Sequence, residues 1–269
     1  MNIIITGASR GLGLNHAKFL SSNNNKIFLT DISKEASKAF SKTNERDEVV
    51  KYFKKNKVSY KFEYGDLTKI SDCKKIIKSA IKWFENNIDV VICNAGGDIP
   101  GKLKNAFGKK LKINNYLIST KEFYNIFDRN FITSFNFIKT ILPHMKKNKN
   151  GKIITVSSIN AITDSSNEFA YSISKNAIIK MSKILARDLK KFNINVNCIC
   201  PGPTKTSRFI FTLKDRSKTE KKIFKKKTGL NRVAEKNEIS EVISFLCSKQ
   251  SNLITGQIII VDGGISLEG

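Results

Sequence analysis

Short, nearly unbroken apolar runs recur along the chain and alternate with stretches of helical period. The runs "NIIIT" (2–6), "KIFLTD" (26–31), "SYKFEYGD" (59–66), "DVVICN" (89–94), "KIITVSS" (152–158), "INVNCIC" (194–200) and "QIIIVD" (257–262) predict strands. Helical spacing follows Gly11, with Leu12, Ala17, Phe19 and Leu20 on one face, and returns over 75–84, from about Tyr171 to Lys191 and near Glu238–Ser248. Ser119 with Glu122 forms a possible capping box for a helix running to about Met145. Strands apolar on both faces and separated by helices indicate a parallel sheet covered on each side. The expected fold is therefore α/β, a doubly wound parallel sheet of about seven strands with helices on both faces, in one domain over 1–269. Segments 41–57, 97–118 and 204–230 fit the alternation least well and are read as loops or insertions.

Composition narrows the class. With 269 residues, 40% hydrophobic and only four prolines, the chain has material for a large core. No repeat of solenoid period is visible, and no apolar stretch reaches the roughly 18 residues of a membrane span. The first strand begins at Asn2, which leaves no room for a signal peptide. The five cysteines are odd in number and sit in apolar segments, so reduced thiols and a cytoplasmic location are expected. Cys198 and Cys200 are assigned to opposite faces of a strand, with His16 and His144 far away, so no metal site is expected. The net charge of +25 suggests a polyanion partner, but lysine is spread over most predicted helices in a chain equally rich in Asn and Ile. That spread argues against nucleic acid; the densest stretch, Lys214 to Lys227, could face an anionic substrate but reads rather as a solvated helix face.

The first strand runs through "TGASRGLG" (6–13) directly into the first helix. Glycines at 7, 11 and 13 let backbone N–H groups approach a pyrophosphate at a helix N-terminus. Glycines also make ordinary turns, but the strand-before, helix-after context marks a Rossmann-type dinucleotide site. Ser9, Arg10 and Leu12 complete this loop. The next strand ends in Asp31, placed to accept hydrogen bonds from the adenosine ribose and to repel a 2′-phosphate. Arg10 could attract that phosphate. Asp31 is weighted more heavily, so NAD is preferred and NADP remains possible.

These motifs, with "CNAGG" (93–97), Ser158 ahead of "YSISK", "PGPTKT" (201–206) and "ITGQIIIVDGG" (254–264), make the chain similar to the short-chain dehydrogenase/reductase family. The motifs arrive in the family's order and span Asn2 to Gly264. The resemblance implies a catalytic set of Asn130, Ser158, Tyr171 and Lys175, the serine being the one thirteen residues before the tyrosine. It further implies cofactor contacts at Asn94, Ala95, Gly96, Asp66, Leu67, Pro201, Gly202, Thr204 and Thr206, besides Tyr171 and Lys175. A helix N-cap is the plainer reading of Asp66. It implies a homodimer or homotetramer packed through the helices around 120–145 and 171–191.

The residue types suit the chemistry. A tyrosine has pKa near 10, and a lysine one helical turn away stabilises its phenolate. Ser158 can orient a substrate oxygen toward Tyr171, and Asn130 is expected to hold a relay water. Around 204–230 only Lys205 and Arg208 lie near enough to the turn to reach a substrate. The leading expectation is an oxidoreductase, EC 1.1.1.-, interconverting a secondary alcohol and a ketone on a sugar, polyol or hydroxy acid. The alternatives are a reductase of 3-oxoacyl thioesters and, more remotely, an idle fold kept for binding; the intact four-residue set counts against the last.

Overall fold

The computed structural model of the chain describes residues 1–21, 25–38, 40, 44–97, 114–163, 168–213, 216, 218–226 and 229–267. Seven strands form one all-parallel sheet in the order β3-β2-β1-β4-β5-β6-β7. They are β1 (Asn2–Thr6), β2 (Lys26–Asp31), β3 (Tyr60–Tyr64), β4 (Val90–Cys93), β5 (Gly151–Val156), β6 (Ile194–Pro201) and β7 (Ile258–Val261). Strand order reverses between β1 and β4, which opens a crevice at their C-terminal ends, the place where such sheets bind ligands.

Two apolar layers account for the double winding. Ile3, Ile5, Val90, Ile92 and Ile154 face α1 (Gly11–Leu20), α2 (Glu45–Lys55) and α9 (Lys236–Cys247). Ile4, Val91 and Ile153 face α3 (Ile70–Trp83), α5 (Thr133–Asn148) and α6 (Phe169–Leu189). Alternate residues of one strand thus serve opposite layers, as the pleat dictates. The same rule corrects one expectation. Cys198 and Cys200 are two apart, so they share a face of β6, packed with Ile178. A thiol hydrogen bond with Cys200, followed by burial, pushes the Cys198 thiol well up. All five cysteines are buried and unpaired.

Three other expectations change. The stretch read as a loop at 41–57 contains α2, whose Phe53 is fully buried and whose first turn carries Glu45, Asp47 and Glu48. Acidic residues there complement the helix dipole. The stretch 204–230 contains α7 (Ser207–Phe211) and α8 (Lys218–Lys225). The helix expected from Ser119 is divided: Ser119 Oγ accepts the Glu122 N–H, 3.3 Å, to start α4 (Thr120–Phe127), and a π turn (Asp128–Ile132) links α4 to α5. Residues 98–113, most of the expected insertion, and Lys214 and Lys227 of the basic stretch lie outside the described residues. Among the described residues no helix is long and apolar enough to cross a membrane.

Candidate active site

A cavity of about 1740 Å³ opens at the strand C-termini and runs from the glycine loop to Ser158 and Tyr171. At one end, Gly7 and Gly11 take positive φ, +65° and +58°. A Cβ at Gly7 would fall 2.7 Å from Ala95 Cα, whereas one at Gly11 would meet only Thr206, at 3.9 Å. A Cβ at Gly13 would lie 2.5 Å from Asn94 Nδ2 and nearer still to the Gly7 carbonyl. Gly7 and Gly13 therefore draw helix, loop and β4 together, and Gly11 leaves the cavity side bare. A ligand backbone can approach there as the expected dinucleotide requires. Asn94 completes the brace, donating from Nδ2 to the carbonyls of Thr6 and Gly7 at 3.2 and 3.1 Å.

Asp31 closes β2 over this loop. Its carboxylate accepts the Ser9 N–H (2.9 Å) and the Ile32 N–H (2.8 Å), which holds it at the cavity wall. Arg10 turns away from the loop: Nη1 donates to the Ala36 carbonyl and the guanidinium stacks 4.8 Å from the Phe40 ring. Burial, followed by the nearby Arg208, lowers its pKa to about 10. Asp66 receives the N–H and hydroxyl of Thr68, at 3.0 and 2.7 Å, and also lines the cavity. Asp66 is not the helix N-cap expected of it: α3 starts at Ile70 behind Lys69, and Asp66 closes the turn before it.

At the other end, β5 stops at Val156 and delivers two serines with different duties. Ser157 Oγ donates to the Lys175 carbonyl, 2.8 Å, and is spent in fixing α6. Ser158 reaches the cavity, its side chain in 3.3 Å contacts with Asn160. The Lys175 ammonium is buried, donates to the Val156 carbonyl at 2.9 Å, and sits 5.7 Å from the Tyr171 ring centroid. Helical spacing thus puts the cation beside the phenol, where it favours the phenolate.

Nearly every expected cofactor contact lines this one cavity: Gly7, Arg10, Gly11, Leu12, Asp31, Asp66, Leu67, Asn94, Ala95, Gly96, Pro201, Gly202, Thr204 and Thr206. Ser9 and Gly13 stand behind the loop and shape it through backbone contacts. Asn130 also stands behind the wall. Its Oδ1 accepts the Gly97 N–H (2.8 Å), and Nδ2 donates to the carbonyls of Gly97 (3.0 Å) and Ile126 (2.8 Å). Through these bonds the side chain ties the π turn to the Gly96–Gly97 turn. Lys205 is absent from the lining: it pairs at 2.9 Å with Glu235 on the surface, so the expected substrate contact is withdrawn. Arg208 does reach the cavity, donating to the Gly96 carbonyl at 3.2 Å and lying 5.5 Å from Phe40.

Several lining residues carried no sequence signal: Asn160, Glu168 and Arg129; Arg216, from the basic stretch, also lines the cavity, 3.9 Å over the Phe209 ring. They come from separate elements and meet only in the fold. From α8, Ile223 faces inward against Phe209 and Val233, while Lys218, Lys222 and Lys225 are exposed. That arrangement is the solvated face expected for those lysines.

A family profile described as enoyl-(acyl carrier protein) reductase matches residues 7–266. A 7alpha-hydroxysteroid dehydrogenase of Bacteroides fragilis is 28% identical over 265 residues, 98% of this chain and 94% of that one. The 3-oxoacyl-[acyl-carrier-protein] reductase FabG of Buchnera aphidicola is 32% identical over 263 residues, 97% and 96% of the two chains. The solved structure of a 7 alpha-hydroxysteroid dehydrogenase complexed with NADH and 7-oxo glycochenodeoxycholic acid superposes with TM-score 0.81. It is 25% identical and covers 97% of this chain and 92% of its own. Levodione reductase, 20% identical with TM-score 0.80, shares the fold over 99% and 98%.

Proposed function

The chain belongs to the short-chain dehydrogenase/reductase family, and from that premise we propose that it interconverts a secondary alcohol and a ketone on a small polar substrate, with NAD as partner. One observation carries the reading: Ser158, Tyr171 and the buried Lys175 share a continuous cavity with the glycine loop and Asp31. The bound nicotinamide supplies or accepts the hydride. Ser158 donates a hydrogen bond to the substrate oxygen. Tyr171 passes the proton to or from that oxygen, and the Lys175 ammonium stabilises the phenolate left behind. Asn130 acts as a positioning residue, holding the Gly96–Gly97 turn beside Lys175. Asp31 would accept hydrogen bonds from the ribose hydroxyls, and the bare Gly11 would admit the pyrophosphate.

Polar walls around Ser158, namely Asn160, Thr163 and Glu168, favour a sugar, polyol or hydroxy acid. A second reading, reduction of a 3-oxoacyl thioester, is favoured by the FabG relative, the higher in identity of the two. Half-exposed Phe123, Phe127 and Phe131 on α4 and the π turn, with Phe135 on α5 40% exposed, support a homodimer or homotetramer built on these helices. We place the enzyme, a single domain, in the cytoplasm, in keeping with its reduced thiols.

Titration with NADH and NADPH, followed by nicotinamide fluorescence, tests the cofactor assignment. Turnover of a panel of polyols, sugars, hydroxy acids and 3-oxoacyl thioesters tests the substrate. Preference for NADH with turnover of the first three is expected. Preference for NADPH with turnover of thioesters alone selects the second reading, and binding of neither dinucleotide removes both.

A further inference from the structure

The competition between Asp31 and Arg10 over the adenosine end involves a third residue. Glu45, in the first turn of α2, reaches back to the glycine loop, where its Oε2 accepts the Gly11 N–H at 3.2 Å. Asp31 does the same two residues earlier, accepting the Ser9 N–H at 2.9 Å. Two carboxylates from different elements thus grip alternate N–H groups of one loop, with Arg10 between them. Both act on the Arg10 guanidinium in the same sense, favouring its charge. Among the cations nearby, Arg208 and Arg129 act on Arg10 in the opposite sense. Arg10 is committed to the Ala36 carbonyl and to Phe40. Arg46 lies 4.6 Å over the Phe62 ring and 3.3 Å from Asp47, and Lys236 approaches Glu45 only to 3.9 Å.

Glu45 itself is not saturated. Its side chain is 15% exposed, and its second oxygen, Oε1, is buried with no hydrogen-bond partner among the described residues. The buried hydroxyls of Ser9 and Ser33, flanking Asp31 in space and in sequence, are likewise without partners there. A further dianionic phosphate would meet two carboxylates in a setting of low dielectric, where repulsion is strong.

We propose that Glu45 is a specificity-determining residue: with Asp31 it makes the loop's adenosine end select a dinucleotide with a free ribose 2′-hydroxyl over one with a 2′-phosphate. The proposal rests on the dinucleotide-dependent reading above and gives it a second determinant. Glu45 does not line the cavity, so it acts through its charge.

The test is equilibrium titration of the intact enzyme with NADH and with NADPH by nicotinamide fluorescence. Wild type, Glu45→Gln and Glu45→Asp are compared, with thermal unfolding as the check on folding. Glu45→Gln keeps an acceptor for the Gly11 N–H and removes only the charge. The NADPH-to-NADH ratio of dissociation constants is expected to fall at least about fivefold in Glu45→Gln and to stay within about twofold of wild type in Glu45→Asp. A smaller fall in a folded Glu45→Gln overturns the proposal, since a residue that merely braced the loop would weaken both cofactors alike. If Glu45→Gln does not fold, Glu45→Ala is held to the same threshold. Wild-type protein that binds neither dinucleotide removes the parent reading instead, so the two failures are told apart.

Discussion

The two ends of the cavity are built differently. At the dinucleotide end, backbone meets backbone: Gly7 against Ala95, Gly13 against Gly7, and Asn94 bridging both strands. At the substrate end the walls are side chains on short helices, and their contacts are ring on ring or cation on ring. Phe209, in the wall, carries Arg216 at 3.9 Å and meets Phe224 behind it at 5.7 Å, while Phe40 carries both Arg208 and Arg10 and meets Phe211 at 5.5 Å. Backbone contacts tolerate almost no substitution, whereas ring contacts accept many partners of similar size. The difference teaches which part of the enzyme is fixed by its chemistry and which part is free to choose a substrate.

The largest expected effect breaks chemistry away from binding. Tyr171→Phe should lose about 10²- to 10⁴-fold in turnover while the dinucleotide dissociation constant barely moves. Steady-state rates beside fluorescence titration check this; equal loss in both would make Tyr171 a binding residue. Next, Gly13→Ala should overpack the rigid end, costing about 1–3 kcal/mol and abolishing dinucleotide binding. Phe211→Ala, at a half-exposed site outside the lining, should cost little stability. Urea unfolding of the two variants side by side measures the contrast; comparable losses would erase it.

The rigid end should also carry an acid-sensitive joint. His16 on α1 is fully buried, 2.8 Å from Ser240 on α9, and burial pushes its pKa down to about 3. The unfolded chain takes up the proton near 6.5, so stability is full above that value. It declines as pH falls from 6.5 toward 3, by about 1.4 kcal/mol per unit at most. Urea midpoints between pH 7.5 and 5 should fall less in His16→Gln than in wild type; parallel declines would remove His16 as the cause. Smallest of all, Lys205→Ala should cost under about 1 kcal/mol and leave the Michaelis constant unchanged, because its ion pair with Glu235 is solvent-screened.

The same contrast decided what could be read from the sequence. All seven strands, the glycine loop and the Ser158, Tyr171 and Lys175 trio were legible because period, burial and local spacing encode them. The helix α2 was not, since its buried side rests on Phe53 with Val49 and Tyr52 only partly covered, amid charged residues. Lys205 was misjudged because nearness in sequence to the "PG" turn does not fix which way a side chain leaves it. Arg10, Phe40 and Arg208 come from three distant segments, and no local pattern announces their meeting.

The π turn has a consequence for helix phase. Phe123, Phe127, Phe131 and Phe135 stack in succession at 6.0, 5.1 and 5.9 Å, although a four-residue step overshoots one α-helical turn of 3.6 residues. The wider π turn at Asp128–Ile132 offsets that overshoot, so the aromatic rail stays straight instead of spiralling around the helix. From inside the same turn, Asn130 donates to the Ile126 carbonyl. Deleting one residue from this turn would therefore twist the outer rail and detune the inner site in a single step, which couples the outer surface to the chemistry.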